Sequence, residues 1–335
     1  MDFTLSDEQQ LLRDTARALL AKECPPALVR AHIDDPAAAD PLWERLRDFA
    51  ALGDGPLIDL CLFVAETGFV AAPGPFFATT ALFAPVLSAT GHELLAPTLA
   101  GETTGTVALA GADGAWRVND EPVKCFVPEL DRVEWVAVVS PGPHVQVVAA
   151  TGLPTRLLTT ADWSRRLFEI DVAGLDAPRV ALAADTLDDV VRRATVAVSA
   201  ELVGTAHRLF DMALEYAKQR VQFDHPIGSF QAIQHKLADV SLAVERADSA
   251  VQYAAMTIDA HDADCRRATH VAKAAAGTAA TRAAKDSIQV HGGVGYTWEH
   301  DLHLFIRRAY GSEAWFGPTS WHHDRLAELL LDTSA

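Results

Sequence analysis

From Ala184 onward, apolar residues hold helical period through segments long enough to need one another for burial. Leu187, Val190, Val191, Ala194, Val198, Leu202 and Leu209 recur along a stretch predicted to run from Ala184 to Arg220. A second helix is expected to open at Ser229 and carries Ile233, Leu237, Val240, Val244 and Val251 on one face. A third, Arg266 to about Gln289, is rich in alanine, which permits close approach of helix axes. Two shorter helices, near His300–Arg308 and Ser320–Leu331, follow the glycine cluster Gly292-Gly293-Val294-Gly295. Apolar stripes of this length are covered by packing on each other, so residues 182–335 read as a four-helix bundle.

The preceding residues have two textures. Residues 1–101 read as an N-terminal helical domain. Ser6-Asp7-Glu8-Gln9 fits a capping box for a first helix that stops before Pro25-Pro26. Further helices are expected near Leu42–Leu52, Leu57–Phe69, Phe76–Leu87 and Leu94–Leu99. Residues 102–181 are short β-branched runs between turn residues, with strands expected at Thr106–Leu109, Trp116–Val118, Val123–Val127, Trp135–Val139, Val145–Ala149 and Phe168–Val172. The fold class is therefore mainly α with a small central antiparallel β domain.

Charge narrows the function. The 335 residues carry 28 Lys and Arg against 45 Asp and Glu, a formal net charge of −17, which excludes a general nucleic-acid binder. An anionic ligand needs a local cationic cluster working against that field. Cys24, Cys61, Cys125 and Cys265 are scattered without a CxxC and read as reduced thiols of a cytoplasmic protein. The acidic, polar first residues are unlike a secretory signal, and Leu57–Thr90 is interrupted by Glu66, Pro73, Pro75 and Pro85, so no membrane association is expected.

Two stretches in the bundle suit an extended dinucleotide. Arg220-Val221-Gln222-Phe223-Asp224-His225-Pro226-Ile227-Gly228-Ser229-Phe230-Gln231 places a guanidinium at a helix end, an aromatic ring in the connection and an amide at the next helix start. A guanidinium pairs with pyrophosphate in forked geometry, and helix N-termini meet phosphate. Gln289-Val290-His291-Gly292-Gly293 combines an amide with two residues lacking β-carbons, where backbone approaches a ligand closely. Taken singly, an Arg at a helix end is commonly a dipole partner and a Gly pair commonly a cap.

Together with Trp298-Glu299-His300 and Arg307-Arg308-Ala309, these motifs resemble the acyl-CoA dehydrogenase family of flavoproteins, whose order of helical domain, β domain and bundle covers essentially the whole chain. The resemblance implies FAD as cofactor. It assigns Arg220, Phe223, Gln231, Gln289, Gly292 and Gly293, with Gln222 as a weaker candidate, to an FAD bound mainly by the neighbouring subunit.

The same comparison shows one-sided losses. The family's catalytic Glu, in a Tyr-Glu-Gly-Thr stretch, falls at Phe316 in Trp315-Phe316-Gly317-Pro318-Thr319, and a phenyl ring accepts no proton. The alternative base position, ten residues before a glycine matching Gly204, is Ala194, followed by Thr195. The flavin-holding loop is replaced by Val107–Gly114, the Trp that packs on the flavin ring is replaced near Lys124-Cys125-Phe126-Val127, and the flavin-touching Thr and Gln fall at Pro318 and Ser320. The pattern resembles the non-catalytic subunit of heteromeric α2β2 acyl-CoA dehydrogenases, actinobacterial examples of which act on steroid side-chain CoA thioesters. It implies a catalytic partner subunit that binds most of the acyl-CoA.

Two other readings stay open. A self-sufficient homomer could use Glu201 or Glu313 as its base; Glu201 otherwise reads as a polar residue satisfied inside the bundle or at a subunit contact. A metal protein could draw on Glu299, His300 and His303, or on His322, His323 and Asp324, although adjacent histidines point to different helix faces. Metal binding is not the expected function. Arg307 and Arg308, at the expected end of a helix, read as interface or dipole partners rather than a CoA-phosphate site.

Overall fold

In the computed structural model, which describes residues 3–332, helix α1 (Asp7–Glu23) begins at the expected cap. Ser6 Oγ accepts the Gln9 N–H at 3.2 Å and Gln9 Oε1 accepts the Ser6 N–H at 3.1 Å. Helix α2 (Pro26–Asp34), not expected from the sequence, follows at once. Its proline occupies the first helical position, where a missing N–H is harmless, so Pro25-Pro26 separates two helices rather than ending helical structure. The expected helix at 42–52 is α3 (Asp40–Leu46) continued as a 3₁₀ helix over Arg47–Asp54. Next comes α4 (Leu57–Phe69), then a π-helical stretch (Ala78–Phe83) leading into α5 (Ala84–Thr90), and the short α6 (Leu95–Leu99).

Seven strands follow: β1 (Gly105–Ala108), β2 (Val123–Pro128), β3 (Trp135–Ser140), β4 (His144–Ala149), β5 (Thr155–Leu157), β6 (Leu167–Asp171) and β7 (Val180–Ala181). They form two sheets, ordered β1-β3-β4-β7 and β2-β6-β5. One pairing departs from the antiparallel expectation: β1 runs parallel to β3, with Gly105 opposite Trp135. The expected strand at Trp116–Val118 is loop. Local side-chain bonds hold that segment instead: Asp113 accepts the Ala115 N–H at 2.9 Å, and Asn119 Nδ2 donates to the Leu109 carbonyl at 2.8 Å. Ala108, Val127, Val136, Val138, Phe168 and Ile170 form the core beneath the strands.

The remaining chain is α7 (Ala184–Gln219), the hairpin β8 (Val221–Gln222) and β9 (His225–Pro226), then α8 (Gln231–Asp259), α9 (Cys265–His291), α10 (Leu302–Ala314) and α11 (Thr319–Asp332). Helix α9 packs against α8, α10 and α11, and its alanines, among them Ala272, Ala276 and Ala283, are buried. Helices α4 and α7 touch backbone to backbone: a Cβ on Gly204 would lie 1.7 Å from the Ala65 carbonyl oxygen.

The chain packs as two compact units. One comprises the residues up to Pro26, Cys61–Ala72 and those from Val198 onward; the other comprises Ala27–Leu60 and Pro73–Ala197. The helical segment 1–101 thus contributes to both. Among the described residues no helix is long and apolar enough to cross a membrane, and the four cysteines form no disulfide, three of them being buried.

Candidate functional site

The first motif leaves α7 at Arg220, whose N–H donates to the Tyr216 carbonyl at 2.9 Å. The Ile227 N–H donates to the Arg220 carbonyl at 2.8 Å, closing a hairpin in which Gln222 faces His225. Its two tip residues, Phe223 (φ 52°) and Asp224 (φ 63°), are both left-handed, as a two-residue turn between twisted strands demands. A bulky side chain rarely occupies that region. Here the conformation leaves the Phe223 ring 86% exposed, meeting Phe230 edge-on at 6.3 Å. The Gln222 amide donates to the Val221 carbonyl at 2.7 Å. Gln231 is the first residue of α8, where backbone N–H groups lack helical acceptors. Among the described residues, the exposed Arg220 guanidinium has no carboxylate within ion-pair distance.

The second motif ends α9. Gly292 (φ 62°, ψ −139°) adopts a conformation open essentially to glycine alone, and a Cβ at Gly292 or Gly293 would meet nothing within 4 Å. Gln289 is exposed, whereas Val290 turns inward with Ala213, Ala217 and Leu237, against Ile227 and Ile233. That cluster places both motifs at one end of the bundle although some 70 residues separate them. An unpaired guanidinium, an exposed ring, a helix N-terminus and an open-sided glycine loop together fit an extended anionic dinucleotide such as FAD.

The two positions where the sequence resemblance places a base are Phe316 and Ala194. Phe316 is 5% exposed and left-handed (φ 59°). Its turn is held from two helices: Lys273 Nζ donates to the Glu313 and Gly317 carbonyls at 2.7 and 2.8 Å, and His322 Nε2 lies 3.1 Å from the Phe316 carbonyl. Burial pulls Lys273 down to about 8. Burial, with Lys273 and His270 beside it, pushes His322 down to about 3. Ala194 is buried on α7.

Both alternative carboxylates are engaged. Glu201, 1% exposed, pairs through Oε1 with Arg308 Nη1 at 3.1 Å and accepts from Ser312 Oγ at 2.9 Å. Glu313 accepts the Thr319 N–H at 2.7 Å, capping α11. Arg308, expected at a helix end, lies within α10 and is fully buried, its remaining donors reaching the Ala71 and Ala72 carbonyls at 3.3 Å. That corrects its reading as an interface residue. The burial of Arg308 was not legible because an arginine in isolation looks like a surface charge, whereas Glu201 sits satisfied inside the bundle, as one of its sequence readings had it.

In the strand region, the loop that the resemblance would set against flavin is satisfied internally. The Ala112 N–H donates to Glu121 at 2.9 Å, and buried Lys124 donates to the Asn119 carbonyl at 3.0 Å. Among the described residues no three His, Cys, Asp or Glu side chains are grouped to hold a metal ion; His322 is buried while His323 and Asp324 face outward.

Residues 190–331 match the model of the acyl-CoA dehydrogenase C-terminal domain. Over 322 residues the chain is 32% identical to acyl-CoA dehydrogenase IpdE2 of Mycobacterium tuberculosis, spanning 92% of this chain and 93% of that protein. The chain belongs to the acyl-CoA dehydrogenase family. Among solved structures it is similar to a chain of the ChsE4-ChsE5 complex from Mycobacterium tuberculosis, with TM-score 0.90, 25% identity and full coverage of both chains. It also shares its fold with a Tcur3481-Tcur3483 steroid ACAD variant, with TM-score 0.86, 24% identity and 99% coverage of each chain.

Proposed function

We propose that this chain is the base-less subunit of a heteromeric α2β2 acyl-CoA dehydrogenase, completing the FAD site of a catalytic partner. The observation that carries this reading is the sorting of its side chains. Residues suited to a neighbour's FAD stand exposed at one end of the bundle. Positions that would serve a site of its own hold Phe316 and Ala194, and the carboxylates Glu201 and Glu313 are tied to Arg308, Ser312 and the α11 N-terminus. Loss without a role would not discriminate between the two sets.

Bound FAD supplies the hydride acceptor for α,β-desaturation of an acyl-CoA thioester. Toward it, Arg220 would pair with the pyrophosphate, Phe223 would cover a ring or ribose, and Gln231 would answer phosphate at the α8 N-terminus. Gln289 and the backbone at Gly292 and Gly293 would receive the adenosine end, with Gln222 at the margin. The α-proton would be taken by the partner's carboxylate. A steroid side-chain CoA is the substrate class, supported by the steroid ACAD among structures of the same fold; the two-protein ChsE4-ChsE5 assembly supports a heteromer. Four cysteines, none of them in a disulfide, support a reducing, cytoplasmic setting.

The test is flavin counting. Purified alone, the chain should carry little FAD and desaturate no acyl-CoA; co-expressed with a catalytic subunit, it should yield a yellow complex. Stoichiometric FAD and turnover in the isolated chain would overturn the reading. In that event Glu201→Gln and Glu313→Gln would identify the base, whose loss costs about 10²–10⁴ in rate.

A further inference from the structure

Tyr216 touches both halves of the cofactor clamp. Its carbonyl accepts the Arg220 N–H at 2.9 Å, while its ring stacks on His291 with centroids 4.4 Å apart and planes at 24°. His291 directly precedes Gly292. Its Nδ1 lies 2.8 Å from the Ser287 carbonyl, which only accepts, so Nδ1 carries the proton and the buried ring is fixed in rotation. His300 also meets it, at 69° with 4.8 Å between centroids. His300 is itself anchored, its Nδ1 accepting the Leu302 N–H at 3.1 Å at the start of α10. Gly295 completes the seat, since a Cβ there would come within 3.0 Å of His291 Cβ. Burial, with His300 beside it, keeps His291 below the ordinary imidazole range, so the stack holds a neutral ring near pH 7.

A continuous line therefore runs from Arg220 through Tyr216 and His291 to His300, crossing from one motif to the other. Aliphatic side chains would fill the same space without fixing an angle, whereas two flat rings fix both separation and tilt. We infer that Tyr216, His291 and His300 are positioning residues for the shared cofactor. The stack sets the span between the Arg220 guanidinium and the Gly292–Gly293 backbone, and so between the pyrophosphate and adenosine contacts. This rests on the shared-FAD reading above.

The experiment measures the FAD dissociation constant and unfolding temperature of the co-purified complex. The variants are Tyr216→Leu, His291→Leu, their combination, Tyr216→Phe, His291→Phe and the control Arg220→Ala. Each leucine variant should weaken FAD binding about five- to tenfold, the combination little more than either alone, and each phenylalanine variant should stay within about twofold. Should a leucine variant not fold, His291→Asn, which keeps a donor for Ser287 but has no ring, takes its place with the same expected loss. A lowered unfolding temperature with unchanged FAD affinity, or fully additive losses, would overturn the inference. If Arg220→Ala also binds FAD normally, the shared-site reading itself fails. A weakened Arg220→Ala beside normal leucine variants overturns only the positioning role.

Discussion

Replacing Glu201 by Gln should be among the most damaging single-atom-scale changes available to the bundle. Glu201 and Arg308 are each about 1% exposed in their side chains and their charged atoms are 3.1 Å apart. At the effective dielectric constant of ~20 that suits buried sites, two unit charges at that distance attract by about 5 kcal/mol. Gln keeps the shape and can still accept from Arg308, but it leaves the guanidinium buried without a counter-charge. Removing one partner of a buried pair costs about 3–5 kcal/mol. The retained hydrogen bond and the Ala71 and Ala72 carbonyls place the expected loss near the lower end, about 3 kcal/mol. Urea unfolding followed by far-UV circular dichroism reads this directly. The combined Glu201→Leu, Arg308→Met variant, which removes both charges, should be less destabilised than either single change, within about 1 kcal/mol of the parent. If Glu201→Gln unfolds within about 0.5 kcal/mol of the parent, the pair does not carry the stabilising role assigned to it.

Two further perturbations probe the same unit. Gly204→Ala would press a methyl into the Ala65 carbonyl, 1.7 Å away, so α4 and α7 must separate; thermal unfolding should show a loss of about 1–3 kcal/mol or more, and a variant as stable as the parent would contradict the close crossing. His322 titrates near 6.5 when unfolded and about 3 when folded, so the unfolded chain binds the additional proton between those values and stability falls as pH drops through that window. His322→Gln should flatten that acid-side loss relative to the parent, and parallel stability curves for the two proteins would refute the assignment.

Much of the helical frame was legible because apolar period reports burial directly. Helices α7 to α11 lie close to their expected positions, and the Ser6 capping box is present in full. Helix α2 was hidden because Pro25-Pro26 reads as a stop, although proline at a helix start is favourable. The strand expected at Trp116–Val118 failed because Asp113 and Asn119 offer the backbone nearer partners than a sheet edge. The parallel pairing of β1 with β3 involves segments separated by β2, and alternation of residue types says nothing of strand direction.

The local chemistry of the chain was fixed by residue type: Arg220, Phe223, Gln231, Gln289 and the Gly292–Gly293 pair are written in order, and no proton acceptor stands at Phe316 or Ala194. What the folded chain alone decided is which charges are spoken for. Glu201 and Arg308 lie 107 residues apart, and neither has a local pattern that announces the other. The same is true of Tyr216 and His291, whose stacking arises only when α7 and α9 end side by side. Helical period dictates which face turns inward, but the pairing of particular polar side chains depends on the three-dimensional packing of segments remote in the chain, where burial makes every unsatisfied group costly.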